Sequence, residues 1–203
     1  MIRNIVFDMG NVLIKWDPER FVARTGVTDP EDLEMMLAAT YGSKEWVMLD
    51  NGSVTEEDIC KNARKLLPER LHGYIHELVY GWHEPVEPIE GMADFVADCK
   101  KAGLNVYLLS NASFLQKSYW PEIPGSGLFD GRVVSAEVGY MKPNAGIYNI
   151  LMETYGLKAE ECIFFDDLAA NVIGAMEVGM HGYMFDGDVD RLRELVRLMG
   201  VEV

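Results

Sequence analysis

Apolar residues follow two different patterns along the 203-residue chain. From about residue 86 onward, apolar runs of strand length alternate with stretches in which apolar positions recur at helical spacing. The runs predict strands at residues 105–110, 132–135, 162–166 and 182–185. The stretches between them predict helices at residues 92–102, 114–119, 145–155, 169–178 and 189–199. This alternation indicates an α/β fold with a Rossmann-like parallel sheet covered by helices.

The first part of the chain shows a different pattern of apolar residues. Residues 2–14 form a strand-like apolar run, and residues 15–85 then show helical patterns with little strand signal. Asp17 and Asp29 are each followed by proline, which is typical of a helix N-cap with proline at the first helical position. Thr55 begins a capping-box pattern that predicts a helix from residue 56 to residue 67. These signals predict an α-helical cap inserted directly after the first strand.

The return to the sheet pattern sets the predicted domain boundaries. Pro85 and Pro88 end the helical periodicity shortly before the alternation of strands and helices begins. We therefore predict a catalytic α/β core made of residues 1–14 and 86–203, and a helical cap made of residues 15–85.

Charge and composition exclude several classes of protein. The sequence has 33 acidic against 18 basic residues, a formal charge of −15, so a nucleic acid partner is not expected. No apolar run approaches the roughly 20 residues that a membrane-spanning helix needs. The N-terminus reaches Arg3 and Asp8 too early for a signal-peptide core, so we expect a cytoplasmic location and no membrane partner. The three cysteines are far apart, which argues against disulfides and a thiolate metal site.

Polar side chains follow several of the predicted strands. In open parallel sheets, ligands bind beyond the carboxyl ends of the strands, so these side chains are expected to meet there. The residues delivered to that edge are Asp8, Ser110, Asn111, Lys142, Asp166 and Asp167.

This set contains the groups that phosphoryl transfer requires. A carboxylate such as Asp8 can attack phosphorus and form an acyl phosphate, while a hydroxyl and the ammonium of Lys142 can bind phosphoryl oxygens. The additional acids can hold a hard cation such as Mg²⁺, which bridges an anionic nucleophile and an anionic substrate. Each residue taken singly is also a common turn or cap residue, and only their order along the predicted strands favours a site.

These segments resemble the motifs of the haloacid dehalogenase superfamily, and specifically its phosphatases with a helical cap after the first strand. The resemblance covers the whole chain. The matching motifs are Phe7-Asp8-Met9-Gly10-Asn11-Val12-Leu13, Leu109-Ser110-Asn111, Lys142-Pro143, and Phe165-Asp166-Asp167 with Asn171.

The resemblance implies a role for each motif residue. It implies that Asp8 is the nucleophile and a metal ligand and that Ser110 binds the phosphate group. It also implies that Asp167 is the stronger metal ligand of the acidic pair. Asp166 would lie outside the direct ligands or reach the metal through water. A backbone carbonyl from Met9 or Gly10 completes the metal site.

One position departs from the pattern. Most phosphatases of this superfamily carry a second Asp two residues after the nucleophile, where it acts as general acid and base, and here that residue is Gly10. Loss of acid–base help is expected to slow turnover by about 10²–10⁴-fold. The D-x-G-N-V sequence is also similar to that of bacterial sugar-1-phosphate phosphatases. Asp17 is the nearest following acid, although the N-cap role is favoured for it.

Three functions remain open at this stage. The favoured one is a Mg²⁺-dependent phosphomonoester hydrolase that forms an aspartyl phosphate and acts on a small phosphate ester such as a sugar phosphate. The second is a metal-independent haloacid dehalogenase, which would use Asp8 but leave the pair Asp166 and Asp167 without a purpose. The third is a non-catalytic protein that binds phosphate ligands. The sequence leaves the physiological substrate and the oligomeric state open.

Two other groups of residues have ambiguous roles. Five aromatic residues can either line the cleft between cap and core or pack within it, and packing is favoured for most of them. They are Trp16, Tyr41, Trp46, Trp82 and Tyr119. His72 and His76 have a spacing that can hold a metal on a helix, but without an evident third ligand we expect them to be packed or solvated.

Overall fold

The computed structural model describes residues 1–201, and its core is a five-stranded sheet. The strands are β1 (Asn4–Phe7), β2 (Asn105–Ser110), β3 (Gly131–Val134), β4 (Cys162–Asp166) and β5 (His181–Met184). Their spatial order is β3-β2-β1-β4-β5, and every neighbouring pair is parallel. The predicted α/β class with a parallel sheet is confirmed.

The central position of β1 determines what meets at the edge of the sheet. Phe7, the last residue of β1, pairs with Leu108 in β2 and with Phe165 in β4. The amide of Asp8 then donates to the carbonyl of Phe165 at 2.9 Å. Because the three strands are parallel and in register, the residues that follow β1, β2 and β4 emerge side by side.

Helices cover both faces of the sheet. The helices that follow the inserted segment are α6 (Met92–Lys101), α7 (Gln116–Tyr119), α8 (Ser135–Val138), α9 (Ala145–Tyr155), α10 (Ala169–Glu177) and α11 (Val189–Leu198). Side chains on one face, such as Phe7, pack with Phe95 of α6 and Leu192 of α11. On the other face Val6 packs with Tyr148 of α9 and Ala175 of α10. β1 is buried on both faces, which explains why its residues after Asn4 are all apolar.

Residues 15–85 form helices, as predicted. They are α1 (Pro18–Ala23), α2 (Pro30–Ala39), α3 (Lys44–Asp50), α4 (Glu56–Leu66) and α5 (Ile75–Tyr80), with a 3₁₀ turn at Glu69–Tyr74. Asp17 and Asp29 accept backbone N–H groups at the starts of α1 and α2, and Thr55 forms the expected capping box with Asp58. Within residues 1–201, none of the helices combines the length and apolar character needed to cross a bilayer.

The two chain segments that connect sheet and inserted helices run side by side. Ile14 forms an antiparallel bridge with Pro88, the Lys15 amide donates to the Glu87 carbonyl at 2.8 Å, and the Ile89 amide donates to the Leu13 carbonyl at 2.9 Å. This pairing is what we expect near a boundary between cap and core. The division into residues 1–14 with 86–203 and residues 15–85 stays a prediction, and residues 202 and 203 of the core lie outside the described residues.

One core helix is shorter than predicted. The stretch 114–119 contains α7 only from Gln116 to Tyr119. Before it, the Gln116 amide donates to the Ser113 carbonyl at 3.1 Å, which is a turn and not an α-helical bond. The Ser113 hydroxyl also accepts the Leu115 amide at 3.1 Å. Local side-chain bonding of this kind competes with helix formation at the start of an element.

Candidate active site

A cavity of about 410 Å³ lies at the carboxyl edge of the sheet, between that edge and the inserted helices. From the sheet side it is lined by Asp8, Met9, Gly10, Asn11, Ile14, Asn111, Ala112, Ser113, Tyr119, Met141, Lys142, Asp167, Leu168 and Asn171. From the inserted segment it is lined by Trp16, Tyr41, Trp46, Asp50 and Trp82. The cavity is therefore placed where parallel sheets bind their ligands.

Lys142 connects two of the predicted acids. Its Nζ lies 2.6 Å from Asp8 Oδ1 and 2.7 Å from Asp166 Oδ2, and its side chain is only 1% exposed. Burial by itself lowers the pKa of Lys142, but the charges of Asp8 and Asp166 outweigh it, and the pKa is raised. Asn111 holds the lysine backbone, because its side chain accepts the Lys142 amide at 2.8 Å and donates to the Lys142 carbonyl at 3.0 Å. Lys142 thus presents a fixed positive charge beside Asp8.

Three carboxylates form a cluster that suits a divalent cation. Asp8, Asp166 and Asp167 each offer an oxygen atom, and these atoms lie within 4.8 Å of one another. The cluster holds three carboxyl groups against the single ammonium group of Lys142, so acidic groups are in excess. Burial raises the pKa of Asp8 to about 7, with Lys142 opposing and Asp166 reinforcing the rise. An all-oxygen donor set with this excess negative charge fits Mg²⁺.

Asp166 is completely buried, and both of its oxygens already accept hydrogen bonds. Oδ2 accepts from Lys142 Nζ, Oδ1 accepts the Leu168 amide at 2.9 Å, and the Asn171 side chain donates to both oxygens. These bonds fix the carboxylate in one orientation. Asp166 therefore positions Lys142 in this structure, whereas Asp167 and Asp8 face the cavity.

Asn11 links the first motif to Asp167. Its side chain donates to Asp167 Oδ2 at 3.0 Å and accepts the Trp16 amide at 3.0 Å. Asn11 has φ 53°, a left-handed conformation that Asn tolerates better than most residues. Burial raises the pKa of Asp167, and the Asn11 hydrogen bond opposes that rise. Asn11 therefore orients the carboxylate predicted as the stronger metal ligand.

The space beside Gly10 belongs to an aromatic side chain. A Cβ built on Gly10 would lie 3.5 Å from Trp16 Cβ and 3.9 Å from Trp16 Cγ. A longer side chain at position 10 would extend toward the Trp16 ring. Asp17 does not line this cavity, and its carboxylate caps α1 by accepting the Arg20 amide at 3.1 Å. The favoured N-cap interpretation of Asp17 is therefore supported.

All five aromatic residues singled out in the sequence line the cavity. Trp16 is at their centre, with ring centroids 5.7 Å from Tyr41, 5.7 Å from Trp46 and 4.8 Å from Trp82. Tyr119 extends the group by an edge contact with Trp82 at 5.3 Å. We call Trp16, Tyr41, Trp46, Trp82 and Tyr119 the aromatic wall. These residues pack against each other and also line the cavity, so the two roles that the sequence offered as alternatives occur together.

Two predicted groups lie away from the cavity. Ser110 is 1% exposed and is not one of the lining residues, whereas Asn111 and the nearby Ser113 are. The phosphate-binding role of Ser110 stays a prediction. His72 is half-buried and contacts the Leu67 carbonyl through Nε2 at 2.9 Å, whereas His76 is exposed and stacks on Tyr80. This agrees with the expectation that the two histidines are packed or solvated.

The comparison with protein families decides the family. The model of the family described as haloacid dehalogenase-like hydrolase matches residues 2–179. This chain is a haloacid dehalogenase-like hydrolase. The resemblance seen in the motifs and the prediction that the chain is an enzyme of the hydrolase class are thereby confirmed.

Relatives and solved structures of similar length support this membership. The sesquiterpene phosphatase astK of Aspergillus oryzae is 27% identical over 199 residues, covering 96% of this chain and 95% of its own. The D-ribitol-5-phosphate phosphatase of Bacteroides thetaiotaomicron is 23% identical over 207 residues, covering 98% and 99%. A predicted HAD-like family hydrolase from Porphyromonas gingivalis superposes with a TM-score of 0.74 at 27% identity, covering 98% of both chains.

Two residues of this hydrolase were missed from the sequence. Asn11 sits beside Gly10, and the pair could have been read as a left-handed turn but not as a contact with Asp167. Asp50 lines the cavity from the C-terminal end of α3. It precedes Asn51 and Gly52 in the sequence, a combination typical of a turn. No local signal identifies Asp50 as a site residue, since only the packing of the inserted helices brings it to the cavity.

Proposed function

We propose that this hydrolase cleaves phosphomonoesters of small organic compounds, using Asp8 as the nucleophile and Mg²⁺ as the cofactor. The observation that carries the proposal is the buried contact of Lys142 with Asp8 inside a cluster of three carboxylates. The arrangement offers a nucleophile, a fixed cation and an oxygen-rich metal site around one cavity. That both relatives described above are named phosphatases is consistent with this chemistry.

The residues suited to hold the cation are Asp8, Asp167 and the backbone carbonyl of Gly10, with Asp166 behind them. When bound, Mg²⁺ would reduce the repulsion between the carboxylates and an anionic phosphoryl group. Because Asp166 already accepts bonds from Lys142 and Asn171, we assign it to positioning and not to direct ligation. Asp167 lines the cavity and accepts a side-chain hydrogen bond from Asn11 but no ion pair with Lys142 among the described residues, which leaves it available to a cation.

The reaction would proceed in two displacements at phosphorus. Asp8 attacks the phosphoryl group, the bond from phosphorus to the ester oxygen breaks, and an aspartyl phosphate forms. Lys142 binds a phosphoryl oxygen and neutralises charge that develops during transfer. Water then attacks the same phosphorus, the bond to Asp8 breaks, and inorganic phosphate is released. Asn111 contributes by holding the backbone of Lys142.

The aromatic wall favours substrates whose organic group has C–H surface to pack on the rings. Flat ring faces bind the C–H surface of a sugar or sugar alcohol as well as a hydrocarbon group, and the names of the relatives contain a sugar alcohol, ribitol, and a hydrocarbon class, the sesquiterpenes. A small sugar phosphate remains the proposed substrate class, and terpenoid-like or other alkyl phosphates belong in the same test panel. Asn111 and Ser113 provide polar contacts at the opposite side of the cavity.

The two alternative functions fit the site less well. A metal-independent dehalogenase has no use for the negative charge that remains on Asp8, Asp166 and Asp167 once Lys142 is paired. A protein that only binds phosphate does not need a carboxylate at the centre of its site, because Asp8 would repel the ligand. Both alternatives predict outcomes that differ from those of a phosphatase in the same assay.

The test is release of inorganic phosphate from sugar phosphates, alkyl phosphates and an aryl phosphate, with Mg²⁺ and with EDTA. We expect Mg²⁺-dependent release that is lost in Asp8→Asn and kept in Asp17→Asn, whose carboxylate lies outside the cavity. Asn caps helices as well as Asp does, so the control variant should fold normally. Absence of release by folded wild-type protein would contradict the proposal, and halide release from haloacids would support the dehalogenase instead.

A further inference from the structure

The first motif of this hydrolase supplies no proton donor, because position 10 is glycine and Trp16 occupies the space next to it. We propose that Asp50, contributed by the inserted helices, is the acid–base residue of the reaction. This inference rests on the proposed phosphatase function. It assigns to the cap a step of the chemistry as well as contacts with the substrate.

Asp50 differs from the other acids around the cavity in having no partner. Asp8 and Asp166 are paired with Lys142, and Asp167 accepts a bond from Asn11. Within residues 1–201, the Asp50 carboxylate makes no hydrogen bond or ion pair, and yet Asp50 lines the cavity. It also lies outside the group of three carboxylates that could hold a metal. An unpaired carboxyl group facing the substrate space is free to exchange a proton.

The backbone of Asp50 is fastened to the sheet side of the site. Its carbonyl accepts a hydrogen bond from the Ser135 hydroxyl, and the same hydroxyl accepts the Ala112 amide at 2.9 Å. Ala112 itself lines the cavity. A short chain of hydrogen bonds therefore connects the end of α3 to the loop that follows β2.

Two further contacts join this part of the inserted segment to the core. The Ser113 hydroxyl donates to Glu56 Oε1 at 2.7 Å. Gly52 lies so close to the core that a Cβ there would be 2.7 Å from the Ala136 carbonyl oxygen. Because of these contacts, Asp50 has a defined position relative to Asp8, as a proton-transfer group requires.

The surroundings of Asp50 suit a group that both gives and accepts a proton. Burial raises its pKa to about 7, and the charges of Asp8 and Glu56 add to the rise. Tyr119 also interacts electrostatically with Asp50, and its own raised pKa keeps the phenol neutral. A pKa near 7 lets both protonation states be populated at neutral pH, which favours general acid–base catalysis.

The protons balance over the two displacements. In the first, protonated Asp50 gives its proton to the ester oxygen as the bond from that oxygen to phosphorus breaks, and an alcohol leaves. In the second, the Asp50 carboxylate takes a proton from the water that attacks the aspartyl phosphate. The bond between phosphorus and Asp8 then breaks, and both acids return to their starting states with water as the only co-reactant.

The test compares Asp50→Asn with Asp17→Asn on two substrates, an aryl phosphate and the alkyl or sugar phosphate that wild-type protein hydrolyses fastest. An aryl alcohol leaves without protonation, whereas an alkyl alcohol needs the proton. For Asp50→Asn we expect kcat on the alkyl ester to fall about 10²–10⁴-fold, with KM not increased. On the aryl ester we expect a rapid burst of phenol, equal to the enzyme concentration, followed by slow hydrolysis of the aspartyl phosphate. Asp17→Asn should resemble wild type on both.

Several results would overturn the assignment. Equal losses on both esters without a burst, or a KM increase with kcat unchanged, would give Asp50 a binding or structural role. Unchanged activity in Asp50→Asn, or loss in Asp17→Asn, would also reject it while leaving the phosphatase function intact. Asp50→Glu retains a proton donor and should recover part of the alkyl-ester rate, and failure to recover any in a folded protein would contradict the proposal. Wild-type protein without Mg²⁺-dependent phosphate release would reject both proposals together.

Discussion

The two sides of the cavity handle charge in opposite ways. On the sheet side, Asp8, Asp166 and Asp167 each have a bonded partner, and Lys142 sits between two of them. On the side of the inserted segment, four rings of the aromatic wall line the cavity together with one carboxyl group, Asp50, which has no partner within the described residues. The sheet side is therefore built to hold charge in place. The inserted side contributes ring surfaces and the one carboxyl group that we propose as the acid–base residue.

The difference follows from the positions of the two regions in the fold. The sheet edge receives its residues from strand ends in register, so their side chains meet with little freedom and form fixed bonds. The inserted segment lines the opposite side of the cavity, and it contributes mainly aromatic rings that pack on one another. We expect mutations on the sheet side to abolish chemistry, and those on the inserted side to change the choice of substrate or the timing of proton transfer.

The largest effect is expected from removing the positive charge of the sheet side. Lys142→Met leaves Asp8 and Asp166 buried without their partner, and breaking a buried ion pair in this way costs about 3–5 kcal/mol. We expect loss of phosphate release to background and a matching fall in the free energy of unfolding, measured by urea denaturation. Lys61→Met is the matched control, because Lys61 forms an exposed ion pair with Glu57 at 3.7 Å. If the Lys142→Met protein were as stable as wild type, the sheet side would not depend on the Lys142 ion pairs, and the contrast between the two sides would be wrong.

The unpaired acid of the inserted side should reduce stability at neutral and higher pH. Folding raises the pKa of Asp50 from 3.8 to about 7, so the folded state loses stability as pH rises between these values. Each unit of such a shift is worth about 1.4 kcal/mol. Asp50→Asn should therefore raise the unfolding free energy by a few kcal/mol at pH 8 and change it little at pH 4. Thermal unfolding at both pH values measures this, and destabilisation at pH 8 would contradict it.

Cation binding should stabilise the sheet side specifically. A ligand present at 100 times its Kd stabilises the folded state by about 2.7 kcal/mol, so saturating Mg²⁺ should raise the melting temperature of wild-type protein. We expect Asp167→Asn to lose most of that increase and Asp29→Asn, a helix-capping variant far from the cluster, to keep it. An equal Mg²⁺ response in all three proteins would show that the cation binds elsewhere.

The smallest effect is expected at the aromatic wall. Trp16→Leu removes ring faces from the cavity, and aromatic contacts of this kind are worth about 0.5–1.5 kcal/mol. We expect KM to rise a few-fold for esters with large organic groups, with little change in kcat for a small aryl phosphate. Trp120→Leu is the control, since Trp120 packs on Phe129 and does not line the cavity. An equal change in KM for all substrates would show that the aromatic wall does not distinguish between them.

The sequence by itself determined the parallel sheet, the helical character of residues 15–85 and the acids at the strand ends. Two predicted strands, β2 and β4, have the predicted bounds, because each is a short apolar run that ends at a polar residue. Parallel strands in register then bring Asp8 and Asp166 together without further information. Local apolar periodicity is a property of neighbouring residues, so it can be recognised without the fold.

Only the tertiary structure decided which side chains face the cavity. Ser110 and Asn111 are adjacent at the end of β2, but only Asn111 lines the cavity. Asp50 reaches it because the end of α3 is hydrogen-bonded to Ser135 and the following Gly52 lies against Ala136, and the first of these contacts joins residues 85 positions apart in the chain. Contacts across such separations depend on how the inserted helices pack on the sheet, and local sequence patterns do not predict that packing.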